Sequence, residues 1–184
     1  MMRMPVWILA LALLVPSASQ SSERVNHHLA LDGYNPIALT RMRTGHLVLH
    51  ARINDVSGRF ILDTGAGRSV LETSGHDRFR LNRIEQATAR ATGVAGDVPL
   101  RMSHGNRLQI GNYLDYQFTA YLMPLAQVNR EFLRRGQQRI DGVIGADVLR
   151  QGQAIIAYTD NMLYLKPKAG ATSQLEPAPE HSQR

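Results

Sequence analysis

The chain has no cysteine among its 184 residues. That excludes disulfide frameworks, thiolate nucleophiles, cysteine-zinc sites, cysteine-ligated iron–sulfur clusters and a lipid anchor on an N-terminal cysteine. A Gly-X-Y repeat and sustained heptads are also missing, which removes collagen and coiled coil. No H-E-x-x-H run is present, no P-loop lysine, and no G-x-S-x-G setting for Ser69, Ser74 or Ser103. What remains suits one domain: a length within the usual span, and 43% apolar residues to fill a core. The formal charge is +6. The signs alternate along most of the chain and no recognition motif accompanies them, so no specific nucleic-acid partner is expected.

Long apolar runs are scarce as well. Val6 to Val15 is an unbroken apolar run, preceded by the cation Arg3 and followed by Pro16 and the small residues Ser17-Ala18-Ser19. A helix crossing a bilayer core of about 30 Å needs roughly twenty apolar residues, so this run is too short to span. The layout is that of a signal peptide, residues 1–19, cleaved near Ser19. No other stretch approaches membrane length, so the expectation is an exported chain, periplasmic or secreted, with no stable membrane anchor after cleavage. Losing Arg3 leaves 20 cations against 15 anions, or +5. The other end, residues 167–184, is polar and rich in Pro and Ala, and reads as a disordered tail. Residues 20–44 read as an N-terminal extension.

Between these lies a domain over 45–166 made mostly of short strands. His46 to Ile53 alternates, with Leu47, Leu49, Ala51 and Ile53 on one face, then Asn54-Asp55 begins a turn that Gly58 closes, and Arg59–Leu62 resumes. Gln86–Leu100 reads as a hairpin hinged at Gly93 and Gly96. Arg107–Ile110 and Tyr116–Met123 flank a turn at Gly111-Asn112. Short helices are expected near 74–80, 126–135 and 146–150, and a last hairpin turns at Asp160-Asn161. Many short strands with little helix predict a small all-β barrel.

The informative stretch is Phe60-Ile61-Leu62-Asp63-Thr64-Gly65-Ala66-Gly67-Arg68-Ser69. An acid ends an apolar strand, and glycines just after it allow close backbone approach. On chemistry alone two readings stand: a turn carboxylate capped by the N–H groups of Gly65 and Ala66, or a reactive acid. Leu62-Asp63-Thr64-Gly65-Ala66 resembles the active-site signature of the retropepsin-like, single-domain aspartic proteases. Ile140-Asp141-Gly142-Val143-Ile144-Gly145, about eighty residues on, resembles the same family's apolar-apolar-glycine element and leads into a short helix. The Gly93/Gly96 hairpin stands between them where that family keeps its flap. The likeness covers roughly 45–166.

The resemblance implies a closed β-barrel-like fold with a flap hairpin and one or two short helices. It makes Asp63 the catalytic carboxylate and Thr64, Gly65 and Ala66 the active-site loop. Val143, Ile144 and Gly145 become a wedge beneath that loop, and Gly93, Val94, Ala95 and Gly96 the flap. Two departures stand out: Gly67-Arg68 where the family commonly carries acids, and Ala146-Asp147 where it usually has Arg-Asn. The charges have changed sides, so an Arg68–Asp147 ion pair is expected. The chain supplies one Asp-Thr-Gly, and about 140 residues are too few for two lobes. The implied enzyme is therefore an aspartic endopeptidase that completes an Asp pair as a homodimer. It would act on peptide or protein substrates, needing neither cofactor nor metal. The alternative is a catalytically silent module of the same fold that binds or regulates a partner. His46 and His50, four apart in a strand, lie about 13 Å from each other and make a poor metal pair.

Overall fold

Alternating burial turns the sequence pattern into a barrel wall. The computed structural model describes residues 26–93 and 96–168. In chain order its strands are β1 (Asn35–Ala38), β2 (Thr40–Arg41), β3 (Leu47–Ile53), β4 (Val56–Leu62), β5 (Val70–Glu72), β6 (Ile84–Gly93), β7 (Gly96–Ile110), β8 (Tyr113–Met123), β9 (Gly142–Ile144), β10 (Ile155–Ala157) and β11 (Met162–Leu165). A 3₁₀ turn covers Thr73–Gly75; the α-helices are α1 (Ala126–Arg134) and α2 (Ala146–Gln151), with residues 26–31 also helical.

The main sheet runs β2-β3-β4-β9-β5-β8-β7-β6, and β7 also pairs with β3. That extra pairing, Arg52 opposite Gln109 and Ile53 opposite Leu108, closes β3, β4, β9, β5, β8 and β7 into a ring of six strands. Closure removes the sheet edges on those strands. The all-β, closed-barrel expectation therefore holds. Leu49, Ile53, Phe60, Leu108, Ile110 and Ile144, each at most 1% exposed, fill the interior. A second, smaller core lies on the outer side of β3 and β4. Val48 and Ile61 face each other there, and Leu125, Phe132 and Ile140 cover them. That core is the work of α1, whose Asn129 is buried. Its amide donates to the Ile140 carbonyl at 3.0 Å and accepts from the Ile140 N–H at 2.8 Å, as a neighbouring strand would. This pins the chain just before β9.

Two expectations need correction. The β3–β4 turn is only Asn54-Asp55, both at positive φ (46° and 69°), with Ile53 opposite Val56. This is the tight two-residue hairpin whose twist matches the strands. Gly58 therefore does not close the turn. It lies within β4, where a Cβ would meet the Phe60 and Phe79 rings at 2.8 Å. Second, the hairpin around Gly93 and Gly96 is longer than expected, since β7 runs on to Ile110. The N-terminal extension also contributes strands: β1 pairs with β11, β2 pairs with β3, and Ile37 and Leu39 join the main core. Such short strands are specified by partners elsewhere in the chain rather than by their own pattern.

Candidate active site

Asp63 is placed by parallel pairing of β4 with β9. Phe60, Ile61 and Leu62 stand opposite Gly142, Val143 and Ile144, and the Asp63 N–H extends the ladder by donating to the Ile144 carbonyl at 3.0 Å. The chain then leaves the sheet. Gly65 N–H donates to Asp63 Oδ1 at 2.8 Å, while Ala66 N–H turns to the Asp63 main-chain carbonyl at 3.3 Å. Of the two caps that a plain turn carboxylate would have, one is present. Among the described residues the carboxylate receives no other hydrogen bond, although an ionised carboxylate can accept about four. Asp63, Thr64 and Gly65 are all exposed in the single chain. The acid is thus held rigidly at its backbone and left open at its tip.

Val143, Ile144 and Gly145 run directly under this loop. Gly145 is buried, and a Cβ on it would come within 2.7 Å of the Ala66 and Arg68 carbonyl oxygens. Only glycine allows that approach. Next to it, Ala146 N–H donates to the Ala66 carbonyl at 2.7 Å, and Gly145 N–H to Ser69 Oγ at 2.9 Å. Gly93 and Gly96 pair across the tip of β6–β7. Val94 and Ala95 lie outside the described residues.

The Arg68–Asp147 ion pair does not form. Asp147, in the first turn of α2, instead accepts from Ser69 N–H (2.9 Å), Ser69 Oγ–H (2.7 Å) and Val148 N–H (2.9 Å). Local main-chain and hydroxyl donors already satisfy it. Arg68 points elsewhere, its guanidinium 5.6 Å from the centre of the Tyr121 ring, within cation–π range. Ser69 is the site residue that sequence reasoning passed over. A buried hydroxyl six positions after the acid, with another acid just inside a later helix, was the available signal. The Ser69–Asp147 clasp ties the loop to α2. Replacing Asp147 with alanine strands three donors and should lower the unfolding free energy by about 2 kcal/mol. Urea denaturation measures this, and Asp147→Asn, which keeps one acceptor oxygen, should cost less.

Two hollows flank α2. One, about 300 Å³, is lined by Thr64, Ala146, Leu149, Ala154 and Ile156, with Arg150 and Gln153 at its rim. The other, about 130 Å³, lies on the Arg68 and Asp147 side. Behind the helix, burial, with Asp115 and Asp147 adding to it, pushes the Tyr113 hydroxyl well above the usual phenol range. It therefore stays a neutral donor, toward Gln151 at 3.4 Å. His46 bonds Thr44 Oγ1 at 2.9 Å and lies edge-on to Phe132, and His50 is exposed on β3.

Solved structures similar to the chain include EIAV protease complexed with the inhibitor HBY-793, at 21% identity and TM-score 0.48, covering 64% of this chain and 98% of that one. A retropepsin-like aspartic protease from Rickettsia conorii matches at 19% identity and TM-score 0.46, covering 72% and 88%. The retroviral protease-like domain of Ddi1 from Leishmania major matches at 20% and 0.44, covering 65% and 87%. No curated protein matches the sequence. A family model described as aspartyl protease matches residues 49–148, more than half of the chain, from the middle of β3 into α2. With Asp63-Thr64-Gly65 at the end of β4, the Gly142–Gly145 wedge beneath it and a closed six-stranded barrel around both, the chain belongs to the aspartyl protease family and has its retropepsin-like fold.

Proposed function

We propose that the chain is an exported aspartic endopeptidase that works as a homodimer, with one Asp63 from each protomer forming the reactive pair. The observation that carries this is the state of Asp63: fixed through its backbone, held by one hydrogen bond, and exposed in the isolated chain. Two carboxylates about 3 Å apart cannot both ionise easily, so they share one proton. The ionised one takes a proton from water, the water oxygen attacks the scissile carbonyl, and the protonated one hydrogen-bonds the carbonyl oxygen. Proton return to the leaving nitrogen then completes cleavage. The pair titrates as a unit.

The hollow beside Thr64 supports a second protomer. When two Asp63 side chains meet on a two-fold axis, the Thr64 loops adjoin, and the walls made by Leu149, Ala154 and Ile156 lie next to that axis. Apolar walls there are suited to being covered. Purified chain lacking residues 1–19 should cleave a degenerate peptide library, and Asp63→Asn should not. A folded dimer that binds peptides yet cuts none would favour a silent binding module. Export rests on the N-terminal layout, and N-terminal sequencing of the protein from the medium or periplasm should begin near Gln20; recovery only of Met1 from cytosol contradicts it.

A further inference from the structure

We infer that Arg68 selects substrates carrying an acidic side chain a few residues from the scissile bond. This rests on the proposed peptide cleft at Asp63 and adds the chemistry of what enters it. Arg68 is exposed and lies five residues after Asp63 on the loop braced by Gly145. Five residues span at most about 18 Å, and an extended peptide advances about 3.4 Å per residue. A substrate lying over Asp63 and running toward Arg68 would therefore meet it within about five residues of the cut.

The charges around Arg68 decide what that side chain is. The hollow beside it also receives Asp115, Asp147 and Lys168. Asp115 is buried, and it accepts from Lys168 Nζ at 2.7 Å and Gln117 N–H at 2.9 Å. Asp147 is taken up by Ser69 and Val148. Both acids are thus committed, and the Asp115–Lys168 pair is internally neutral. Among the described residues no carboxylate lies within salt-bridge distance of Arg68. Its planar fork, steadied on Tyr121, is left to a ligand, and a carboxylate is the group it matches in two hydrogen bonds. The hollow of about 130 Å³ has room for roughly four waters, enough for a carboxylate and its short stem.

The test separates binding from cleavage. The full mature chain carrying Asp63→Asn is incubated with a degenerate octapeptide library, and the retained peptides are sequenced. Glu and Asp should be enriched roughly tenfold over Gln and Asn at one position, less so at 1 M salt, where screening is stronger. Adding Arg68→Gln should abolish that enrichment, and adding Arg68→Glu should replace it with Lys and Arg. These ratios compare peptides on one protein sample, so partial unfolding does not alter them. Acid enrichment that survives Arg68→Gln, or none with Arg68 intact, overturns the inference. Whether the wild-type chain cuts the same library is scored separately. Loss of cutting with acid selection retained would sink the peptidase reading alone.

Discussion

Asp63→Asn should abolish peptide cleavage and leave the fold as it was. The amide cannot take a proton from water at working pH, and it cannot share one with its partner carboxylate. In a homodimer the change strikes both members of the pair, so the loss should exceed about 10³-fold, toward the upper range for a general acid–base group. Structurally the change is small. Asparagine Oδ1 still accepts from Gly65 N–H, which stands 2.8 Å from the present carboxylate oxygen. The Asp63 N–H bond to Ile144 belongs to the backbone. An exposed isosteric change of this kind should shift stability by no more than about 0.5 kcal/mol. The measurement is cleavage of a peptide cut by the wild-type chain, beside a urea melt of both proteins. Equal turnover with an unchanged melt would make Asp63 a turn cap and nothing more.

Gly142 should be the least replaceable position under the site. A Cβ built there would stand 2.2 Å from the Val70 carbonyl oxygen and 2.9 Å from the Phe60 ring. The oxygen belongs to β5, which pairs with β9 at Val70–Val143 and Leu71–Gly142, so it cannot withdraw without opening that ladder. Phe60 is fully buried in the barrel and has no room to yield. Overpacking against backbone with no escape should cost about 3 kcal/mol or more for Gly142→Ala. Activity should fall further than stability, because β9 is the strand on which β4 and Asp63 rest. Gly67→Ala is the matching control. Nothing lies within 4 Å of its Cβ position, so its melting midpoint should stay close to wild type. Urea denaturation of the pair gives the comparison. A Gly142→Ala chain as stable as the Gly67→Ala chain would mean β9 does not sit where it has been placed.

The wall and the Asp63 loop were legible in the sequence because both are written locally. The alternation of Leu47, Leu49, Ala51 and Ile53 is a period that one strand carries by itself. The strand that ends in Asp63 and the wedge at Val143–Gly145 each sit in a short motif. What was not legible depends on distant partners. β1 and β2 are four and two residues long and exist because β11 and β3 accept them. Asn129 looks like one more polar residue on a polar helix until its amide is found on both main-chain groups of Ile140. Gly58 resembled a turn residue because glycine serves both for turns and for crowding, and here the aromatic rings of Phe60 and Phe79 decide. Arg68 and Asp147 looked complementary in charge, but Ser69, between them in reach, satisfies the acid first. That same outcome leaves Arg68 available for a ligand.

The central claim is that two chains share one reactive pair, and mixing them tests it most directly. Wild-type chain is combined with a fivefold excess of Asp63→Asn chain, and subunit exchange is followed independently by a tag on one of them. If each site needs Asp63 from both protomers, only about one sixth of wild-type chains then sit in complete dimers, and activity per wild-type chain should fall to about that fraction. Dilution of wild type alone below its dimer dissociation constant should lower specific activity in parallel. Activity that stays at the unmixed value after exchange has been demonstrated would contradict a shared site and place all of the chemistry within one chain.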